Sequence, residues 1–176
     1  MDMKDKWQDA LPEEIDFWKH YIATRGGKWP DEYQMRLDPE SPLQEEFILE
    51  RLQEIPGKSV EILDVGAGPL TVLGKSHLDK SLNITAVDPL ADEYDRILAE
   101  AGIVPPVRTV RCHGEDLLTK FGSDTFDFAY ARNCLDHSYD PTLIIRNMVD
   151  LVKPERWVIL RHEHNVAENA GYVGLH

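Results

Sequence analysis

Val60-Glu61-Ile62-Leu63-Asp64-Val65-Gly66-Ala67-Gly68-Pro69 is an apolar run that delivers an acid and two spaced glycines to a turn. Glycines at 66 and 68 let a backbone approach a ligand where a Cβ would collide, and a helix beginning near Pro69 would aim unpaired N–H groups at that ligand. The stretch therefore reads as a buried strand followed by a nucleotide-type binding turn.

Outward from it, the chain after residue 58 alternates strands and helices. Strands are expected at about 60–65, 82–87, 106–111, 125–130 and 156–161. Helices are expected near 70–77, 91–101 and 141–151, with a short helix or turn near 115–121. Crossovers of this length and nearly continuous apolar strands predict an α/β fold, a Rossmann-like and predominantly parallel sheet flanked by helices. Such sheets bind ligands beyond the C-terminal ends of their strands, so the loops after 65, 87, 111, 130 and 161 are expected to converge.

Residues 1–57 read as a helical flank or lid and 58–176 as the binding core. In the flank, Pro12 to Ile22 predicts a helix with acids early and Ile15, Trp18, Tyr21 and Ile22 near one face. Arg25-Gly26-Gly27-Lys28-Trp29-Pro30 ends it in a turn, and Pro42 opens a second helix to about Glu54 before Pro56-Gly57.

The chain's 176 residues carry 32 acidic against 19 basic side chains, a formal net charge of -13. That charge repels polyanions, so neither nucleic acid nor an anionic membrane is expected as a partner. Cys112 and Cys134 are the only cysteines and form no CxxC or zinc spacing, which suits a reducing, cytoplasmic setting. No apolar run approaches the ~20 residues that cross a bilayer.

The convergent loops carry the chemistry. After the second strand, Asp88, followed by Pro89, stands 22 residues beyond Gly66, where a carboxylate accepts both hydroxyl hydrogens of an adenosine ribose. The third loop, Cys112-His113-Gly114-Glu115-Asp116-Leu117-Leu118, offers Glu115 and Asp116 to an exocyclic amine, Asp116 being preferred. The same two acids also suit the opening of a short helix. The fourth loop sets Ala131, Arg132 and Asn133 beside the glycine turn, and Asp136-His137 extends toward a second substrate. An imidazole titrating near neutrality suits proton removal from an acceptor, with Asp136 supporting its charge. Beyond the last strand, His162, Glu163 and His164 form another polar cluster. Lacking an HExxH or short zinc pattern, this cluster reads as a hydrogen-bonding acceptor pocket and no metal is expected. Trp18 and Tyr21 suit either acceptor contact or packing.

A dinucleotide site shares the glycines and the later acid. Here Thr71 stands where the third glycine of that fingerprint is needed for close helix–strand packing, which weakens a nicotinamide-dependent oxidoreductase as the alternative.

Taken in order, Glu61 to Gly68, Val87-Asp88, Gly114-Glu115-Asp116 and Phe126 to His137 resemble the class I S-adenosylmethionine-dependent methyltransferases over roughly residues 58–165. The resemblance implies that Asp64, Gly66, Ala67 and Gly68 surround the methionine part of the cofactor, Asp88 holds the ribose and Asp116 reads the adenine amine. It implies that Ala131, Arg132 and Asn133 complete the pocket. Leu70 replaces a glycine often found two positions after Gly68, and Asp136-His137 resembles an acid–His segment common after the fourth strand. The implied activity is methyl transfer to a hydroxyl or amine of a small molecule, such as a sugar or natural-product intermediate. The family fold usually continues through another helix and an antiparallel strand pair, for which only residues 165–176 remain. That shortness makes an exposed sheet edge, self-association through it, and a catalytically incomplete binding module further expectations.

Overall fold

The computed structural model describes residues 2–163. Its centre is β1 (Ser59–Val65), the strand read from the apolar run. It is flanked by β2 (Ser81–Asp88) and β4 (Phe126–Arg132), with β3 (Val110–Arg111) and β5 (Val152–Arg161) outside them. The order is β3-β2-β1-β4-β5 and every pairing is parallel. The chain therefore reverses its winding direction between β1 and β4, which opens a crevice at the C-terminal ends of those strands.

Helices α4 (Ala91–Glu100) and α6 (Pro141–Leu151) lie where expected, and α5 (Leu117–Phe121) follows a 3-10 turn at Gly114–Asp116. Alternation along the strands sorts side chains onto two faces. Leu63, Val65, Ala129 and Ala131 pack with α6 residues Ile144, Met148 and Leu151. Val60, Ile62, Phe128 and Tyr130 pack on the opposite face with Ile48 and Leu52. These last two belong to α3 (Glu46–Leu52).

The N-terminal flank contains α1 (Met3–Ala23), α2 (Pro30–Leu37) and α3. α1 begins nine residues before the expected start, and Pro12 lies inside it. Proline forfeits the bond its N–H would make to the Gln8 carbonyl, but both residues are exposed, so water can take that carbonyl. α2 was not anticipated, although Pro30 opens it, Asp31 and Glu32 occupy its first turn, and Arg36 pairs with Glu32 one turn later. Pro42 does not start a helix; it forms a bridge with Ser76, and α3 begins four residues after it. Tyr21, Ile22 and Tyr33 join Leu70, Tyr94 and Leu98 in a third core cluster, so the flank is packed onto the sheet domain through buried side chains.

Two strand expectations are corrected in extent. The ladder at 106–111 contracts to Val110–Arg111, because Pro105 and Pro106 cannot donate and the side chains of Arg108 and Thr109 bind Asp95 and the Gly68 carbonyl. β5 starts at Val152, directly after α6, with a register irregularity opposite Phe126 and Phe128.

The expected helix at 70–77 is absent. A helix would pair the Leu70 carbonyl with the Gly74 N–H, but Arg36 donates to that carbonyl instead. Thr71 Oγ1 accepts from the Leu73 N–H and donates to Asp64, while the N–H groups of Lys75 and Ser76 bind the Ser41 carbonyl. Residues of the N-terminal flank thus satisfy the segment in an extended path, and Lys75 Nζ reciprocates on the carbonyls of Met35 and Arg36 at the end of α2.

Candidate active site

A cavity of about 590 Å³ lies at the C-terminal ends of β1, β2 and β4, with α1 across its top. This is within the usual range for small-molecule and cofactor sites. The glycine turn forms part of its floor. Gly66 and Gly68 have φ of 67° and 65°, so both need the left-handed region that side chains resist. A Cβ on Gly66 would strike Cys134, and one on Gly68 would lie 2.5 Å from the Trp18 ring. The glycines are therefore required by the protein's own packing, and Trp18 covers the turn. No helix follows Pro69, so the expected N-terminus aimed at a ligand is missing.

Asp64 and Asp88 line this floor and are 2% and 7% exposed. Burial pushes the Asp64 carboxyl up to about 6, against the opposing Thr71 hydrogen bond and the charges of Arg36 and Arg132. Burial likewise pushes Asp88 up to about 7, despite hydrogen bonds from the Leu90 and Gly68 N–H groups. The Leu90 and Gly68 N–H groups each donate to one Asp88 oxygen, at 2.9 Å and 3.2 Å, and the Tyr94 hydroxyl hydrogen-bonds the same carboxylate. Pro89 and Leu90 extend the wall.

At the third loop, Glu115 lines the cavity and accepts the Asp140 N–H, whereas Asp116 is exposed and lies outside the lining. The geometry thus favours Glu115 over Asp116 at this wall. The physical reason lies in the 3-10 turn at Gly114–Asp116: successive residues point in different directions, and only the first acid turns inward. Trp7 and His113, with ring centroids 5.1 Å apart, close this end.

At the fourth loop, Arg132, Asn133 and His137 line the cavity. Ala131 is fully buried within β4 and Asp136 stands behind His137, neither in the lining. Asn133 takes φ of 48°, binds the Arg161 carbonyl through its N–H and accepts the Glu163 N–H on Oδ1. Glu163 is brought to the rim in this way, whereas the exposed His162 lies outside the lining and His164 outside the described residues.

Several lining residues were not anticipated. Glu32 lies 2.9 Å from Arg36 and 3.2 Å from Arg132. Burial alone would raise its carboxyl, but the two guanidinium groups hold it below the ordinary value. Arg36 also faces the rings of Trp18 and Tyr21 at 5.7 Å and 5.9 Å. Glu14 accepts the Trp18 indole N–H at 2.6 Å and reaches His137 at 3.2 Å. The spacing of Glu14 with Trp18 and of Glu32 with Arg36, four residues in each case, was the available signal; which loop each pair would meet was not visible. Trp18 and Tyr21 both line the cavity. Tyr21 is buried with its hydroxyl unpartnered, and burial raises its phenol above the ordinary value. Among the described residues, no group of three or more His, Cys, Asp or Glu side chains could hold a metal ion.

This fold and crevice are those of the class I S-adenosylmethionine-dependent methyltransferases. Residues 34–169 match a family model described as a methyltransferase domain, and the chain belongs to that family. Similar solved structures include a protein from Methanococcus maripaludis described as an S-adenosyl-L-methionine-dependent methyltransferase. It is 14% identical, with a TM-score of 0.57 over 92% of this chain and 68% of that one. A Haloferax volcanii methyltransferase, solved with the Trm112 methyltransferase activator, is 15% identical with a TM-score of 0.51 over 83% and 57%. The DszA carbon methyltransferase is 22% identical with a TM-score of 0.50 over 68% and 33%. The chain thus spans about half the length of several solved relatives. By sequence, no curated relative matches.

The family's cofactor is S-adenosylmethionine. The site's donor set fits it: six carboxylates among the lining residues (Glu14, Glu32, Asp64, Asp88, Glu115, Glu163) outnumber the guanidinium groups of Arg36 and Arg132 together with the His137 imidazole, and aromatic rings form the upper wall. Acids and π-faces both favour a cationic sulfonium.

Proposed function

We propose that this chain transfers a methyl group from S-adenosylmethionine to a hydroxyl or amine of a small molecule. The observation that carries the reading is Asp88, a buried carboxylate that lines the cavity floor and is held beside the glycine turn by the Gly68 and Leu90 N–H groups. When bound, the cofactor supplies an electrophilic methyl on a positively charged sulfur. Asp88 would take the ribose hydroxyls, Asp64 and the Gly66–Gly68 backbone the amino-acid end, and Glu115 the adenine amine. Arg132, Asn133, Glu163, Tyr21 and Trp18 would then bound the acceptor space. With the methyl donor charged and the nucleophile neutral, catalysis consists largely of holding the two in line and keeping water out. The α1 roof and its aromatic wall suit that task.

A polar acceptor is favoured by the acids of the lining. The nicotinamide alternative is disfavoured by the extended path after Pro69, which offers no helix N-terminus to a pyrophosphate. A reducing, cytoplasmic setting belongs to the same proposal, since Cys112 and Cys134 are unpaired. So does self-association along β5, which borders the sheet on one side among the described residues; light scattering that finds only monomers removes that part.

Calorimetry tests the whole. Saturable S-adenosylmethionine binding is expected, with no comparable signal from NAD. Asp88→Ala should weaken the cofactor at least tenfold, the equivalent of about 1.4 kcal/mol. Equal affinity in the folded variant, or NAD binding more tightly in wild type, would sink the reading.

A further inference from the structure

His137 sits in the cavity wall with a carboxylate on each side of its ring. Nδ1 is 3.2 Å from Glu14 Oε2, and Nε2 is 3.5 Å from Asp136 Oδ2. Asp136 is its neighbour in the 3-10 turn Leu135–His137, but Glu14 arrives from α1, more than a hundred residues away in the chain. Glu14 is itself fixed, because its other oxygen accepts the Trp18 indole N–H at 2.6 Å, and Trp18 is pinned against Gly68 and Tyr94. Glu14 lies in the N-terminal flank, outside the residues 34–169 that match the family model.

We propose that Glu14 is a positioning residue for His137, through which the seating of α1 controls the orientation and the proton inventory of the imidazole in the cavity wall. Among the described residues, the charged groups that act on the ring include Glu14 from α1, Asp136 from its own turn and, farther off, Asp88 from the end of β2. Burial works to lower the imidazole, but the hydrogen bond and charge of Glu14, followed by Asp136 and Asp88, outweigh it and leave the group above its ordinary value. An acid at each nitrogen favours the doubly protonated imidazole. In that form it has no free lone pair, so it can take a proton from an acceptor only after passing one of its own to Glu14, Asp136 or solvent. The general-base role expected of His137 then depends on that prior loss of a proton, and its catalytic meaning rests on the methyl-transfer reading.

The test is an NMR titration of the His137 ring in the full chain. In wild type the midpoint should lie above the ordinary histidine value. Glu14→Gln keeps an acceptor for Trp18 but removes the charge, and should lower the midpoint by about one unit or more. Glu14→Asp should lower it less, and Asp136→Asn should also move it less than Glu14→Gln. Should the Gln variant fail to fold, Glu14→Asp decides by the same readout. An unchanged midpoint in folded Glu14 variants overturns the proposal, as does a larger fall in Asp136→Asn. A Glu14 that merely braced the helix would alter stability without moving this titration. Calorimetry of wild type with S-adenosylmethionine, run alongside, separates the two ideas: absence of binding sinks the proposed function, while the titration alone judges the Glu14–His137 coupling.

Discussion

In the proposed role Asp88 would have to be buried to meet a ribose and charged to accept from it, and these demands oppose each other. Its carboxyl, raised to about 7 by burial, stabilises the fold most below its unfolded value near 3.8 and loses that contribution as pH rises through about 7. Asp64, raised to about 6, has the same sign. Stability to urea should therefore fall between pH 5 and pH 8, and Asp88→Asn should flatten the fall; an unaltered slope would refute the assignment. Ribose hydroxyls donating to Asp88 would favour its charged form, so cofactor binding near pH 6.5 should release protons, visible as a buffer-dependent heat in calorimetry. The glycine turn makes a second prediction. Gly66→Ala should be strongly destabilising, and Cys134→Gly in the same chain should recover the steric part, leaving about 1–2 kcal/mol for the left-handed backbone. No recovery in urea midpoints would mean that Cys134 is not the obstacle. At this scale the sequence was readable where one residue type answers a backbone demand, as at Gly66 and Gly68. It was not readable where direction decides: Glu115 and Asp116 are adjacent acids, and only the turn geometry chooses between them.

Among the elements, β1, β2, β4, α4 and α6 were legible because each carries its own periodicity and terminating signals. The segment after Pro69 was not, because its backbone partners come from Arg36 and Ser41, far earlier in the chain. Composition within a window cannot reveal a distant donor. α1 was half legible for a similar reason: Pro12 reads as a helix start, yet the turns before it are retained by packing of Trp7 against His113 and Tyr139. Trp18 is the hinge of this arrangement, touching the glycine turn, Tyr94 and the Arg36 guanidinium. Trp18→Ala should cost roughly 3 kcal/mol, at the low end for a buried aromatic because the ring is only partly covered. Hydrogen exchange should rise across residues 3–23 while β1 and β4 stay protected. Uniform loss of protection would show instead that α1 and the sheet unfold as one unit.

Across the whole molecule, charge and topology point to the same ligand class. A net charge of -13 surrounds a cavity whose lining is itself acidic, and both repel an anionic dinucleotide while drawing in a molecule with net positive charge. The parallel sheet reverses between β1 and β4, so the converging acids lie where the strand ends leave room for a ligand. Two contributions to S-adenosylmethionine affinity then differ in range. The proposed contacts at buried Asp88 would be shielded from salt, whereas attraction by the remaining charge acts through solvent and is screened within about 10 Å at 0.1 M ionic strength. Raising salt from about 0.05 M to 0.5 M should therefore weaken binding only a few-fold and slow association more than it speeds dissociation. In Asp88→Asn, affinity should start lower and keep the same salt slope, because the long-range field is almost unchanged by one charge in this surplus. A salt slope that vanished with Asp88 would instead place the whole electrostatic attraction at that carboxylate, and stopped-flow binding across the salt series distinguishes the two.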